Sequence, residues 1–113
     1  IVVADTGNSR LCIYGRRGFF EGTVGGRFDP QNPFLSPSGV ATDRHGNIFV
    51  ADQADGQIHV MGRNLRLLFS SGREFLGAAS PVVPVDVAVG PADQLAITDR
   101  SRQAILVYRI IYE

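Results

Sequence analysis

The stretch that decides the fold is Ile48-Phe49-Val50-Ala51-Asp52, an apolar run closed by a small residue and an acidic one. The same ending occurs 47 residues earlier as Val3-Ala4-Asp5 and 47 residues later as Ile97-Thr98-Asp99. Short apolar runs closed by turn residues are typical of buried β-strands. The chain therefore contains one strand-ending segment three times, at one fixed spacing.

The equal spacing extends well beyond these three segments. Apolar residues follow each aspartate at the same distance, and prolines and small residues recur ahead of the second and third copies; these positions are Leu11, Ile58 and Ile105, Pro37 and Pro84, Val40 and Val87, and Ala41 and Ala88. A period of about 40 to 50 residues with short strands is typical of β-propellers, whose blades are four-stranded sheets. We therefore predict a propeller-type repeat.

The remaining residues divide into short strands and turns. Gly15-Arg16-Arg17-Gly18 is a typical hairpin turn, and three prolines make the connection 27–37 unsuitable for a helix or a central strand. We expect Phe28 or Phe34 of this connection to insert between neighbouring sheets. No long window shows the helical spacing of apolar residues, so we predict an all-β chain of about ten or eleven strands.

The repeat divides the chain into an incomplete blade at residues 1–27, a complete blade at 28–74 and a nearly complete blade at 75–113. The predicted fold class is thus an incomplete all-β propeller of about 2.4 antiparallel blades. Such an open stack leaves strand edges and apolar faces uncovered. We expect the remaining blades to come from the same chain, of which this is a fragment, or from other chains.

Composition restricts the function classes. The 11 arginines balance 11 acidic residues and lysine is absent, so the total charge gives no long-range attraction to nucleic acid or to a membrane. Cys12 is the only cysteine, which excludes an internal disulfide. The sequence contains neither a signal-peptide pattern nor an apolar run of about 18 residues. We expect a cytoplasmic protein with no membrane contact.

The repeat resembles the NHL repeat, a β-propeller module. The matching stretches cover most of the chain: Val3 to Tyr14, Pro37 to Asp43, Gly46 to Asp52, and Ile58 to Met61. The second copy has Gln57 where the family has an arginine, and the third has Gln103-Ala104 there, which predicts weaker Asp–Arg contacts in both copies. Asp86 replaces a family glycine.

The resemblance also carries an expectation about function. The chain is similar to the C-terminal NHL domain of tripartite-motif ubiquitin ligases, which implies a propeller that selects a protein target while other domains carry out the chemistry. Several NHL proteins bind single-stranded RNA through arginine and aromatic side chains, so post-transcriptional regulation through RNA is the alternative. Salt-dependent RNA binding would separate the two.

The residues give little support to catalysis. Because Asp5, Asp52 and Asp99 recur in every copy, we interpret them as structural acceptors for backbone N–H groups in turns. His45 and His59 are the only histidines, and with Cys12 in another copy they do not supply the three protein ligands of a zinc site. The sequence has no nucleophile elbow and no phosphate-binding loop. We predict a non-catalytic segment without metal or cofactor.

Binding is the default function of a propeller, whose turns present side chains at the two ends of the blades. The preferred binding face combines basic and aromatic residues: Tyr14, Arg16, Arg17, Phe19, Arg44, Arg63 and Arg66. The alternative face has nearly balanced charge, and its arginines are Arg10, Arg27, Arg73, Arg100 and Arg102. Arginine and tyrosine suit protein interfaces, whereas arginine interleaved with aromatic rings also suits RNA.

Overall fold

The computed structural model describes residues 1–71 and 82–112, which form ten strands and two short 3-10 turns. The strands are β1 (Val2–Asp5), β2 (Arg10–Tyr14), β3 (Phe20–Gly25), β4 (Pro37–Thr42), β5 (Ile48–Asp52), β6 (Gln57–Met61), β7 (Leu67–Ser70), β8 (Pro84–Val89), β9 (Gln94–Asp99) and β10 (Ala104–Arg109). The 3-10 turns are Thr6–Asn8 and Pro91–Asp93. The described residues contain no helix long and apolar enough to cross a membrane. The prediction of an all-β chain is confirmed.

The strands form three antiparallel sheets. The first contains β1 to β3, the second β4 to β7 and the third β8 to β10, each in chain order. The pairing follows the repeat, because Asp5 lies opposite Arg10, Asp52 opposite Gln57 and Asp99 opposite Ala104. Equivalent residues in the sequence therefore occupy equivalent positions in the three sheets.

The second sheet is packed between the other two. Successive residues of β5 point to opposite faces, so Ile48 and Val50 pack towards the first sheet and Phe49 and Ala51 towards the third. All five residues of β5 are buried. A strand with apolar residues at every position is what burial on both faces requires.

Small residues on β4 allow close contact with β8. A Cβ atom added to Gly39 would lie 2.7 Å from the Cα atom of Asp86. Beside this contact, the hydroxyl of Ser38 donates a hydrogen bond to the carbonyl oxygen of Val85, at 2.5 Å. Asp86 stands where the family pattern has glycine, and Gly39 is its equivalent in the second sheet. The two equivalent residues therefore pack directly against each other.

The connection between β3 and β4 inserts one aromatic residue. Phe34 is 2 % exposed and packs with Leu11 and Val50, whereas Phe28 is 98 % exposed. Of the two predicted candidates, Phe34 is the one between the sheets. The second connection lies largely outside the described residues, as does the predicted blade boundary at 74 and 75.

The end of the chain differs from a fourth strand. A nearly complete blade at 75–113 would allow a fourth strand to begin after β10, but β10 ends at Arg109 and residues 110–112 are not in a strand. The Tyr112 hydroxyl instead donates a hydrogen bond to Asp43 at 2.6 Å, and its ring packs edge-on against His45. These contacts with Asp43 and His45 tie the end of the chain, and with it the third sheet, to the turn between β4 and β5.

Candidate binding faces

The turns lie at two ends of the sheets, because consecutive turns of an antiparallel meander alternate. The hairpin face carries the turns 15–19, 43–47, 62–66 and 90–93. The crossover face carries the turns 6–9, 53–56 and 100–103 and the connection 26–36. Contacts between sheets agree with this division, since Arg44 pairs with Asp93 on the first end and Arg100 with Gln53 on the second.

Arginines of the crossover face are occupied by contacts inside the chain. Arg10 forms an ion pair with Asp5 at 2.7 Å, and the Arg27 guanidinium donates to the carbonyl oxygen of Gly7 at 2.6 Å. Arg100 bonds the Gln53 amide oxygen, and Arg102 pairs with Asp99. Arg73 lies outside the described residues. The described guanidinium groups at this end thus stabilise turns and neighbouring sheets.

Arginines of the hairpin face are used differently. Arg44 is exposed, forms an ion pair with Asp93 at 2.9 Å and covers the ring of Tyr112 at 4.8 Å. The hydrogen bond from Arg44 holds the pKa of Asp93 below its usual value. Among the residues that the structure describes, none accepts a hydrogen bond from the side chains of four further arginines of this face, which are Arg16, Arg17, Arg63 and Arg66.

Exposed aromatic rings accompany two of these arginines. Tyr14 and Phe20 pack edge to face with ring centroids 5.8 Å apart, and Phe19 is 73 % exposed. Phe20 is also largely exposed but was absent from the predicted face. Its position directly after Phe19, at the start of a weakly apolar strand, was the available signal. The first hairpin thus presents two guanidinium groups and an aromatic cluster to solvent.

The three repeated aspartates accept hydrogen bonds at the ends of their strands. Asp52 is fully buried and accepts backbone N–H bonds from four residues, which are Leu35, Ser36, Ala54 and Asp55. Asp99 accepts backbone N–H bonds from Val83 and Ser101. Asp5 instead accepts side-chain bonds from Arg10 and Asn8. Asp52 and Asp99 thus fix the segment that leads into the first strand of their own sheet, and all three carboxylates also fix the turn that follows them.

The charge partners of the repeated aspartates shift their pKa values. Burial alone would raise the pKa of Asp99, but hydrogen bonds from the Ser101 hydroxyl, Arg102 and two backbone N–H groups lower it to about 2. The hydrogen bond from Arg10 is the main reason that the pKa of Asp5 is lowered. The expectation of a weak Asp–Arg contact in the third copy was wrong, because Arg102 supplies it from three residues away.

A polar cluster below the surface of the second sheet was not predicted. The His59 ring is buried, with Nδ1 2.7 Å from the Ser70 hydroxyl and Nε2 3.1 Å from an Asp55 carboxylate oxygen. One potential metal-ligand atom from each of Asp52, Asp55 and His59 lies within 4.8 Å of the others. The chemistry of one imidazole and two carboxylates suits a divalent cation. Asp52 and His59 also make hydrogen bonds within the protein. These bonds equally suit a structural role, in which they hold the turn 53–56 and β6 to β7.

A groove separates the outer parts of the second and third sheets. Its volume is about 480 Å³, and its walls are mainly apolar. Phe49, Ile58 and Val60 form one wall, and Leu95 and Tyr108 lie opposite. Residues 110–112 run along the groove before Tyr112 reaches Asp43. The groove is therefore partly filled by the chain itself.

Comparison with known proteins extends to the fold alone. No family model matches the chain, and no curated protein matches it. Among 41 solved chains that match is one described as Kuenenia stuttgartiensis hydrazine synthase, with a TM-score of 0.61 and 10 % identity. The match covers 93 % of this chain and 30 % of that chain. At this identity the likeness supports the arrangement of strands and carries nothing about activity.

Proposed function

We propose that this chain is part of an NHL-type β-propeller that acts as a non-catalytic scaffold for protein recognition. The equal register of the three sheets and their side-by-side packing support the propeller. The resemblance noted above supports the NHL type and the setting, which is the substrate-recognition part of a tripartite-motif ubiquitin ligase. Chemistry would then be carried out by other domains.

The two outer faces of the stack support the presence of further blades. Ile58 is 3 % exposed against the third sheet, whereas its equivalent in that sheet, Ile105, is 66 % exposed. At the opposite end Val50 is fully buried, whereas its equivalent Val3 is 44 % exposed. A sheet that presents core residues to solvent on one side is suited to repeat stacking. Further blades from the same chain or from other chains would bury these positions.

One observation carries the binding proposal. The hairpin face presents four guanidinium groups without a described partner beside exposed apolar side chains, whereas the crossover face uses its described arginines internally. Arginine and aromatic residues are the side chains that most often dominate protein interfaces. The hairpin face is therefore the proposed recognition surface.

The test compares the two faces in the intact protein that contains this segment. A variant with Arg16, Arg17, Arg63 and Arg66 changed to Glu is compared with wild type and with Arg27→Gln/Arg100→Gln, by quantitative affinity capture from ribonuclease-treated extract. We expect the recovered amount of one captured protein to fall by at least about 100-fold with the four-arginine variant and to stay unchanged with Arg27→Gln/Arg100→Gln. That protein should also receive ubiquitin in a reconstituted reaction. Capture that is equal in all three proteins would contradict the proposal.

Single-stranded RNA is the second candidate, favoured by the Tyr14–Phe20 ring pair beside Arg16 and Arg17. Aromatic rings stack on bases and arginines contact phosphates. Fluorescence anisotropy with a labelled uridine-rich oligonucleotide would detect such binding, with a steep loss of affinity as salt increases. The absence of measurable affinity at low salt would eliminate this candidate.

A further inference from the structure

Two hairpins of the hairpin face occupy equivalent positions in the repeat and have the same turn conformation. The amide of Gly18 donates to the Gly15 carbonyl oxygen at 2.9 Å, and the amide of Leu65 donates to the Gly62 carbonyl oxygen at the same distance. Each turn is closed by a second bond, from Gly15 to Phe19 and from Gly62 to Arg66, both at 2.8 Å. The first hairpin is residues 15–20 and the second is residues 62–67.

Leu65 occupies a position in the second hairpin that glycine holds in the first. Gly18 has φ +86°, and Leu65 has φ +65°. A bulky residue rarely adopts this left-handed conformation, and such strain is concentrated at functional sites. Leu65 is 39 % exposed, so its side chain is not held there by a buried core. The turn therefore carries an apolar side chain at a conformational cost that glycine would avoid.

Both hairpins combine the same two kinds of group. Arg16 and Arg63 are equivalent in the repeat, and so are Phe20 and Leu67, which are 61 % and 45 % exposed. Arginine near an exposed apolar residue thus occurs in each of two adjacent sheets. A ligand that contacts both hairpins would need acidic groups and apolar groups in alternation.

The acidic residues of this face leave its positive charge in excess. The turns of the hairpin face have six arginines and two aspartates, the sixth arginine being Arg109, and the Glu21 carboxylate lies beside Gly15 of the first hairpin as a third acidic group. Asp93 is paired with Arg44, and Asp43 accepts bonds from Asn47 and Tyr112. Charge complementarity therefore favours an acidic partner. The second hairpin offers leucines, which bury apolar side chains but do not stack on bases as aromatic rings do, so its chemistry favours a peptide over RNA.

We propose that the two hairpins bind an extended segment of a partner protein in which acidic residues alternate with large apolar ones. Arg16 and Arg63 pair with its carboxylates, while Phe19, Phe20, Leu65 and Leu67 contact its apolar side chains. This inference rests on the proposed recognition surface and states what that surface selects. Successive hairpins read successive parts of the segment, since they belong to neighbouring sheets.

Selection of displayed peptides on the intact protein tests the inference. The Arg16→Glu/Arg63→Glu variant is the control target, and enrichment is measured relative to it. We expect enriched peptides to contain Asp or Glu alternating with Leu, Phe or Ile. Leu65→Gly is the sharpest variant, because glycine fits a positive φ and the fold should be retained. It should weaken the best selected peptide by about 10-fold, whereas Leu35→Ala, an exposed residue of the crossover connection, should not.

The outcomes separate this inference from the proposed function. Selected peptides that are not acidic, or that bind Leu65→Gly as tightly as wild type, overturn the inference but leave a protein-binding scaffold intact. An absence of enrichment above the background also overturns it, while the extract experiment still decides the scaffold. Binding of the uridine-rich oligonucleotide alone, lost in Arg16→Glu/Arg63→Glu, overturns both.

Discussion

The second and third sheets are built from equivalent residues but have different neighbours. β5 and β9 occupy equivalent positions in the repeat, and Ile58 and Val60 of β6 correspond to Ile105 and Val107 of β10. The residues of β6 pack on the third sheet, whereas those of β10 are exposed. The repeat thus places apolar residues at positions of the third sheet that no described residue covers. The comparison indicates that the outer face of the third sheet has a composition suited to burial.

The largest expected effect tests that comparison directly. Ile58→Ala should destabilise the intact protein by about 2 to 5 kcal/mol, because it leaves a cavity between packed sheets. Under the proposed propeller, Ile105→Ala should cost a similar amount, since a further blade would cover it. Chemical denaturation of the two variants, with exposed Leu35→Ala as the control, measures both. A cost below about 0.5 kcal/mol for Ile105→Ala would show that the outer face is exposed in the intact protein.

Contact between the two sheets depends on a missing side chain. Gly39→Val should destabilise by about 1 to 3 kcal/mol or more, because its Cβ atom would overlap the backbone of Asp86. Gly7→Ala is the matched control, since no atom lies within 4 Å of the added carbon. Thermal unfolding compares the two. Equal melting temperatures for Gly39→Val and wild type would mean that β4 and β8 are less closely packed than the structure has them.

Equivalent aspartates of the two sheets differ in their donors. Asp52 depends on backbone N–H groups, whereas Asp99 also has Ser101 and Arg102. Asp99→Asn should cost about 1.5 to 3 kcal/mol at neutral pH, through the loss of charge-assisted hydrogen bonds. The measurement is urea unfolding followed by far-ultraviolet circular dichroism.

The pH dependence gives the same comparison a second readout. The pKa of Asp99 falls from 3.8 to about 2 on folding, so its contribution is complete above pH 3.8 and is lost as the pH falls towards 2. Asp99→Asn should therefore flatten the stability profile in this window. A profile with the same slope in wild type and variant would contradict the assignment.

The features of the fold that the sequence could predict are those that depend on residues close together along the chain. The strands were predictable because turn residues and short apolar runs are local signals, as in β5. Phe34 could not be distinguished from Phe28, since both are aromatic residues in one proline-rich connection. The His59–Ser70 bond joins adjacent strands and needs the strand register. Its only sequence signal was broken symmetry, because Cys12 and Leu106 replace His59 in the other copies.

The binding faces show the same limit. The division of turns between two ends followed from the antiparallel meander, so the sorting of arginines into two sets could be made from the sequence. Which arginines are occupied could not, because Arg27 reaches the carbonyl oxygen of Gly7 and Arg100 reaches Gln53 in another sheet. The positive φ of Leu65 had one indirect signal in the sequence, since the repeat aligns Leu65 with Gly18 of the first hairpin turn.

The smallest expected effect concerns the contact that ties the third sheet to the second. Tyr112→Phe removes the hydrogen bond to Asp43 and should cost about 0.5 to 1.5 kcal/mol. Tyr14→Phe is the control, since none of the described residues is hydrogen-bonded to that hydroxyl. Burial and the Asp43 carboxylate raise the pKa of Tyr112 from 10.0 to about 12. A raised pKa stabilises the fold below pH 10, and this contribution is lost as the pH rises towards 12. Burial also raises the pKa of Tyr108, so ultraviolet titration should show more than one late-ionising tyrosine. The ionisation near pH 12 should disappear in Tyr112→Phe and persist in Tyr14→Phe. If it persists in both variants, Tyr112 is not its source and the bond to Asp43 does not tie the sheets together.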